Sequence, residues 1–183
     1  MKTLLLIFSI LAYQLGFGQS AATCKIEVYL LKKYVKCWDS TYRTCRNFTA
    51  PREDWQDTAF IKNEEIVGYT FEKFRTKIPR YKKVTRRIHT IETSVSLTER
   101  VQKLNLDMIG KQFVLVVNGE VIYGGYLMNP MSSISFMTIR AVADGNYMEL
   151  AYNSTVDKDP RENELLFNCL KQTNRFTYSN KKR

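Results

Sequence analysis

The chain is poor in several residue types that would mark particular function classes. It holds one histidine, four prolines, eight glycines and four cysteines in 183 residues. A single imidazole, His89, excludes His-rich metal sites and multi-histidine proton relays. So few glycines and prolines exclude collagen-like repeats and long low-complexity linkers. No Gly-x-Ser-x-Gly, His-Glu-x-x-His or phosphate-cradling glycine loop occurs. After Gly18 no apolar run approaches the roughly 20 residues that a membrane-spanning helix needs. No internal repeat is visible.

What is present is ordinary globular material: 44% hydrophobic, 13% aromatic and 25% charged residues. The length suits one domain. Lys and Arg outnumber Asp and Glu by 28 to 18, a formal net charge of +10. That balance suits acidic partners or anionic surfaces and is silent on fold.

Met1 to Gly18 reads as a secretory signal peptide. Lys2 supplies the positive start, Leu4 to Ala12 the apolar run, and Gly16 and Gly18 the small residues before a cut at Gln19. A cut after Ala22 is the alternative. The run is short for a permanent anchor, and Ala21-Ala22-Thr23 lacks the pattern of a lipoprotein site at Cys24. Cleavage removes Lys2, takes the charge from +10 to +9, and leaves a chain expected to be exported, periplasmic or secreted. In that compartment Cys24, Cys37, Cys45 and Cys169 read as two disulfides, or as one disulfide and two free thiols. Of the three pairings, Cys37–Cys45 with Cys24–Cys169 is the expected one. It closes the loop-like stretch from Trp38 to Thr44 and ties the start of the mature chain to its last helix. A zinc site is disfavoured by the absence of CxxC pairs, and neither metal nor cofactor is expected.

The mature chain reads as one α+β domain over residues 19–172 with a basic, polar, frayed tail over 173–183. Lys25 to Leu31 alternates and is expected to be a strand, and Cys37 to Asp57 an ordered loop. Asn63 to Val67 is a helical turn or the entry to Tyr69-Thr70-Phe71. β-Branched residues from Val84 to Val95 predict one long strand or two joined by a bulge. Ser96-Leu97-Thr98-Glu99 reads as a capping box opening a helix that carries Leu97, Val101, Leu104 and Met108, with Gly110 as its C-terminal cap. Phe113 to Val117 is a buried strand, Asn118-Gly119 a tight hairpin turn, and Glu120 to Tyr123 the returning strand. Gly124-Gly125 suggests a bulge. Ile134 to Arg140 and Tyr147 to Tyr152 predict two further strands. Asp159-Pro160-Arg161-Glu162 reads as the capped start of a last helix, whose apolar face is Leu165, Leu166, Cys169 and Leu170.

One stretch resembles the head subdomain in the first periplasmic region of SecD, the accessory subunit of the Sec translocon. The resemblance rests on Ile109-Gly110-Lys111, Val114-Leu115-Val116-Val117, Asn118-Gly119, Val121-Ile122 and Asn129-Pro130. It covers residues 88–136, and more loosely 25–136 through Ile26 to Leu30 and Asn63 to Ile66. It departs from the family at Gly124-Gly125-Tyr126, where Ala-Pro is usual, and at Ile134 to Arg140, where a helix is usual. The transmembrane helices of SecD have no counterpart. The resemblance implies a ferredoxin-like α+β sandwich, with an antiparallel or mixed sheet and two main helices, in the cell envelope. It does not imply translocase activity.

The candidate chemistry is sparse. His89 lies opposite the face of Ile88 and Thr90 and is expected on a surface or edge. Glu64-Glu65 and Asp157/Asp159 sit where capping and dipole complement are the usual roles. Asn47-Phe48-Thr49 and Asn153-Ser154-Thr155 are glycosylation acceptors in a eukaryotic host. The candidate binding stretch is Phe71, Lys73, Phe74, Arg75, Lys77, Arg80, Tyr81, Lys82, Lys83, Arg86 and Arg87, with eight cations in the fifteen residues from Lys73 to Arg87. Cations among aromatics suit a protein partner, anionic lipid or polymer, or nucleic acid, and export disfavours the last. The same pattern also suits a solvated strand face and loop with no dedicated ligand. The expected function is non-catalytic binding of a protein partner or exported polypeptide. An anionic envelope surface or polymer is the alternative ligand. A small secreted hydrolase using His89 or a cysteine is the second alternative.

Overall fold

The computed structural model describes residues 24–35, 48–76, 84–132, 138–152 and 158–182. Its eight strands are β1 (Ile26–Leu30), β2 (Ile66–Thr76), β3 (Val84–Thr93), β4 (Lys111–Val117), β5 (Glu120–Leu127), β6 (Ile139–Asp144), β7 (Tyr147–Tyr152) and β8 (Phe176–Lys182). Two helices, α1 (Thr98–Lys103) and α2 (Glu164–Gln172), interrupt them. All eight strands join one mixed, curled sheet in the order β1-β4-β5-β6-β7-β3-β2-β8. The pairs β5–β6 and β2–β8 are parallel, and the others are antiparallel. The α+β class, mixed sheet and two helices match expectation. The eight-strand order is a larger sheet than the ferredoxin-like sandwich implied by the SecD resemblance.

The continuous apolar run of β4 follows from burial on both faces. Phe113, Leu115 and Val117 enter the core that also holds Leu166, Cys169 and Leu170 of α2. Val114 and Val116 enter a second cluster with Tyr29, Phe48, Trp55 and Met128. The Asn118-Gly119 turn has φ of 52° and 86°, the positive values that a tight hairpin between right-twisted strands requires. The bulge expected at Gly124-Gly125 lies instead at Ile122, where the register steps from Leu115↔Tyr123 to Val116↔Val121. The two glycines serve close approach. A Cβ on Gly124 would lie 2.6 Å from the Phe48 carbonyl oxygen, and one on Gly125 would lie 2.6 Å from that of Ile139.

Several helix ends differ from expectation because tertiary contacts outrank local signals. Helix α1 starts at Thr98 without a side-chain cap. Leu97 is instead buried, and its N–H donates to the Gly145 carbonyl at 2.6 Å. Arg100 fixes the helix to the β2 entry with a bidentate pair to Glu65 (2.8 and 2.6 Å) and a bond to the Phe60 carbonyl. The helix is short, and Gly110 belongs to a separate turn in which the Asp107 carboxylate accepts from the Ile109 and Gly110 N–H groups. Met108, expected on the helical apolar face, is 67% exposed. Helix α2 is capped by Asn163, which accepts from the Leu165 and Leu166 N–H groups, and not by Asp159. Leu165 points outward. The tail expected to fray is strand β8, held against β2 from Tyr69↔Phe176 to Arg75↔Lys182. Of the stretch expected as a strand from Ile134 to Arg140, the described part is the start of β6.

Cys24 and Cys169 are bonded, with Cα atoms 5.4 Å apart and a sequence separation of 145. The expected Cys37–Cys45 bridge, the signal peptide and both glycosylation asparagines lie outside the described residues. No described helix is long and apolar enough to cross a membrane. A bridge closing so long a loop removes much entropy from the unfolded chain. Cys24→Ala with Cys169→Ala is therefore expected to destabilise the protein by about 2–5 kcal/mol, read as a shift in urea midpoint.

Candidate functional site

The basic-aromatic stretch forms the far halves of β2 and β3. Their register sets Phe71 opposite His89, Lys73 opposite Arg87, Phe74 opposite Arg86 and Arg75 opposite Thr85. On the other side of β2, β8 sets Asn180, Lys181 and Lys182 beside Lys73, Phe74 and Arg75. Three adjacent strands thus bring Lys73, Arg75, Arg86, Arg87, Lys181 and Lys182 to one end of the sheet. The last two were read as tail. Their membership depends on a parallel pairing between residues over a hundred positions apart, which no local pattern signals. Lys77, Arg80, Tyr81, Lys82 and Lys83 lie outside the described residues.

The aromatics divide. Phe74 and Lys73 are half-buried, and Arg87 is exposed and lies 3.2 Å from the Glu162 carboxylate. Phe71 is buried and stacks on the His89 ring at 4.3 Å, with Tyr178 edge-on at 5.3 Å and Phe167 of α2 at 6.1 Å. It is therefore part of the core packing. Tyr178, which the sequence did not single out, is half exposed at the edge of this stack.

His89 is fully buried, contrary to the expected surface position. Alternation did place it opposite Ile88 and Thr90, but the buried face of β3 is that of His89, Ile91 and Thr93. The Tyr69 hydroxyl lies 2.9 Å from His89 Nδ1. With the ring proton on Nε2, Tyr69 donates to Nδ1. Burial first, and the nearby Arg161 charge second, lower the His89 pKa to about 3. An imidazole so poised is neutral, and a weak base, near neutral pH.

Next to His89 lies a buried ion pair. Arg161 and Asp159 are 1% and 2% exposed at their side chains. Arg161 Nε and Nη2 donate to the two Asp159 carboxylate oxygens at 2.9 and 2.6 Å. Its Nη1 and Nη2 also donate to the Leu150 carbonyl of β7 and the Arg87 carbonyl of β3. Burial would raise the Asp159 pKa, but the hydrogen bonds and charge of Arg161 outweigh it and hold the carboxyl below its usual range. His89, Asp159 and Glu162 bring one potential ligand atom each to within 4.8 Å of one another. Asp159 is neutralised by Arg161, and Glu162 by Arg87. A divalent cation placed there would therefore have to displace one of these cations or add uncompensated charge beside them. The arrangement is built to lock strands β3 and β7 to the segment before α2. Asp159 and Glu162 also line a cleft of about 460 Å³ with Ile122, Lys158 and Asn163.

No protein-family model matches the chain, and no curated protein matches it.

The lowered His89 pKa sets a sign for acid stability. The unfolded chain binds a proton near pH 6.5 that the folded protein refuses until about 3. This contribution is whole above pH 6.5 and is lost as pH falls, by about 2 kcal/mol between pH 6.5 and about pH 5. Urea midpoints measured across that range are expected to fall for the wild type and to stay nearly level for His89→Leu.

Proposed function

We propose that this chain is a non-catalytic binding protein of the cell envelope or exterior that holds a protein partner or an exported polypeptide. The observation that supports it best is the gathering of cations from β2, β3 and β8 at one end of the sheet. Strand ends held by a rigid ladder give such a patch a fixed spacing, which a disordered basic tail lacks. Phe74 and the exposed Tyr178 border it and supply apolar contact where charge alone would give little specificity. The Cys24–Cys169 bridge is compatible with an oxidising compartment. The similarity of residues 88–136 to the SecD head subdomain, with the ferredoxin-like core it implies, belongs to the same reading and points to exported chains as the ligand class.

The experiment compares two probes on the mature protein: a reduced, alkylated acidic polypeptide, and vesicles of anionic phospholipid. The polypeptide is expected to bind at physiological salt. Binding is expected to fall about ten-fold or more when Lys73, Arg75, Lys82 and Lys83 become Ser, since each neutralised contact removes a screened but additive attraction. These four leave the Arg87–Glu162 pair intact. Binding to vesicles alone, vanishing as salt rises, would favour the anionic-surface reading instead. Equal binding by wild type and variant would remove the basic patch from the account.

A further inference from the structure

We propose that the outer edge of β8 is a strand-addition site for an extended acidic peptide segment, a refinement that rests on the binding role proposed above. Strand β8 ends the sheet and pairs with β2 alone. Among the described residues nothing pairs with its outer side. The phase of the ladder follows from one bond, the Tyr69 N–H donating to the Arg175 carbonyl at 2.7 Å. In a parallel ladder this turns the Arg175 carbonyl and the main-chain groups of Thr177 and Ser179 toward β2. Those of Phe176, Tyr178, Asn180 and Lys182 therefore face outward, a row of donors and acceptors spaced for another strand.

The opposite edge of the same sheet is treated differently. Along β1, Val28 exchanges bonds with Phe60 and Ile61, the Gln56 N–H reaches the Leu30 carbonyl, and the Lys32 N–H reaches the Asp54 carbonyl. The segment from Asp54 to Ile61 thus covers one edge, while among the described residues nothing covers the other. Tyr178, 52% exposed and edge-on to Phe71, offers an apolar landing beside that second edge. An added strand alternates its side chains, so an apolar residue beside Tyr178 can alternate with acidic ones.

Charge selects the occupant. Lys181 and Lys182 lie on β8 itself, and its neighbour β2 carries Lys73 and Arg75 in register. A second copy of the mature chain would bring a formal +9 against +9, the full chain's +10 less Lys2, whereas an acidic segment meets complementary charge. The same lysines discourage neutral strands from joining the edge, so they act as a filter.

The test uses the mature protein and a fluorescent peptide of about ten residues alternating Val and Glu, read by anisotropy and by amide hydrogen exchange. Peptide binding is expected to slow exchange at the Tyr178 and Asn180 amides and to leave Thr177 and Ser179, already bonded to β2, unchanged. Asn180→Pro removes an outward N–H without breaking a β2 bond. It is expected to weaken the peptide about ten-fold or more, with circular dichroism and thermal midpoint as the check on folding. If the peptide binds while the Tyr178 and Asn180 amides stay unprotected, strand addition is wrong. In that event, lost binding in the Lys73, Arg75, Lys82 and Lys83 serine variant leaves the basic-patch reading standing. If the peptide does not bind the wild type at all, this proposal falls. Should the proline variant unfold, exchange in the wild type alone decides.

Discussion

The Arg161 guanidinium is the interaction on which one half of the structure depends. It is almost wholly buried, and its bonds reach Asp159, the β7 carbonyl at Leu150 and the β3 carbonyl at Arg87. A buried guanidinium is tolerated only when its donors are met. Meeting them with main-chain acceptors from two neighbouring strands makes the ion pair a clamp. With β3 so placed, His89 stands in a dry, neutral position against Tyr69 and Phe71. Phe71 in turn carries Tyr178 of β8 at its edge. A chain of contacts thus runs from a buried charge pair to an exposed tyrosine on the last strand of the described sheet.

The other half of the sheet is closed by different means. Strand β4 is buried on both faces, and the Cys24–Cys169 bridge joins the segment leading into β1 to α2. The Asp54 to Ile61 segment covers the β1 edge. At the β2–β3–β8 side cations gather instead, beside main-chain groups of β8 that no described residue pairs. The asymmetry is what turns a general basic composition into a located surface, and it is the physical basis of the proposed binding role.

Much of this was legible in the sequence, and the gaps have physical causes. Strands β1, β4 and β5 follow from alternation or from a short apolar run, and Asn118-Gly119 needs only its tolerance of positive φ. The cations of β2 and β3 were visible as a run. Three features were not. The burial of His89 is decided by which face of β3 meets α2, and alternation gives only the period of a strand, not its phase. The start of α2 moved from Asp159 to Asn163 because Asp159 is engaged by Arg161 rather than by helix N–H groups. Strand β8 has the polar composition of a tail, and only its pairing with β2 makes it a strand.

The central claim is that recognition occurs at the basic end of β2, β3 and β8. It is tested most directly by photo-cross-linking. A photo-reactive residue replaces Lys73 on β2 or, as a control, Glu120 on β5, and each protein is irradiated with the alkylated acidic polypeptide at physiological salt. The account predicts a covalent adduct from position 73 and none above background from position 120. Equal adducts from both positions, or adducts from position 120 alone, would contradict it.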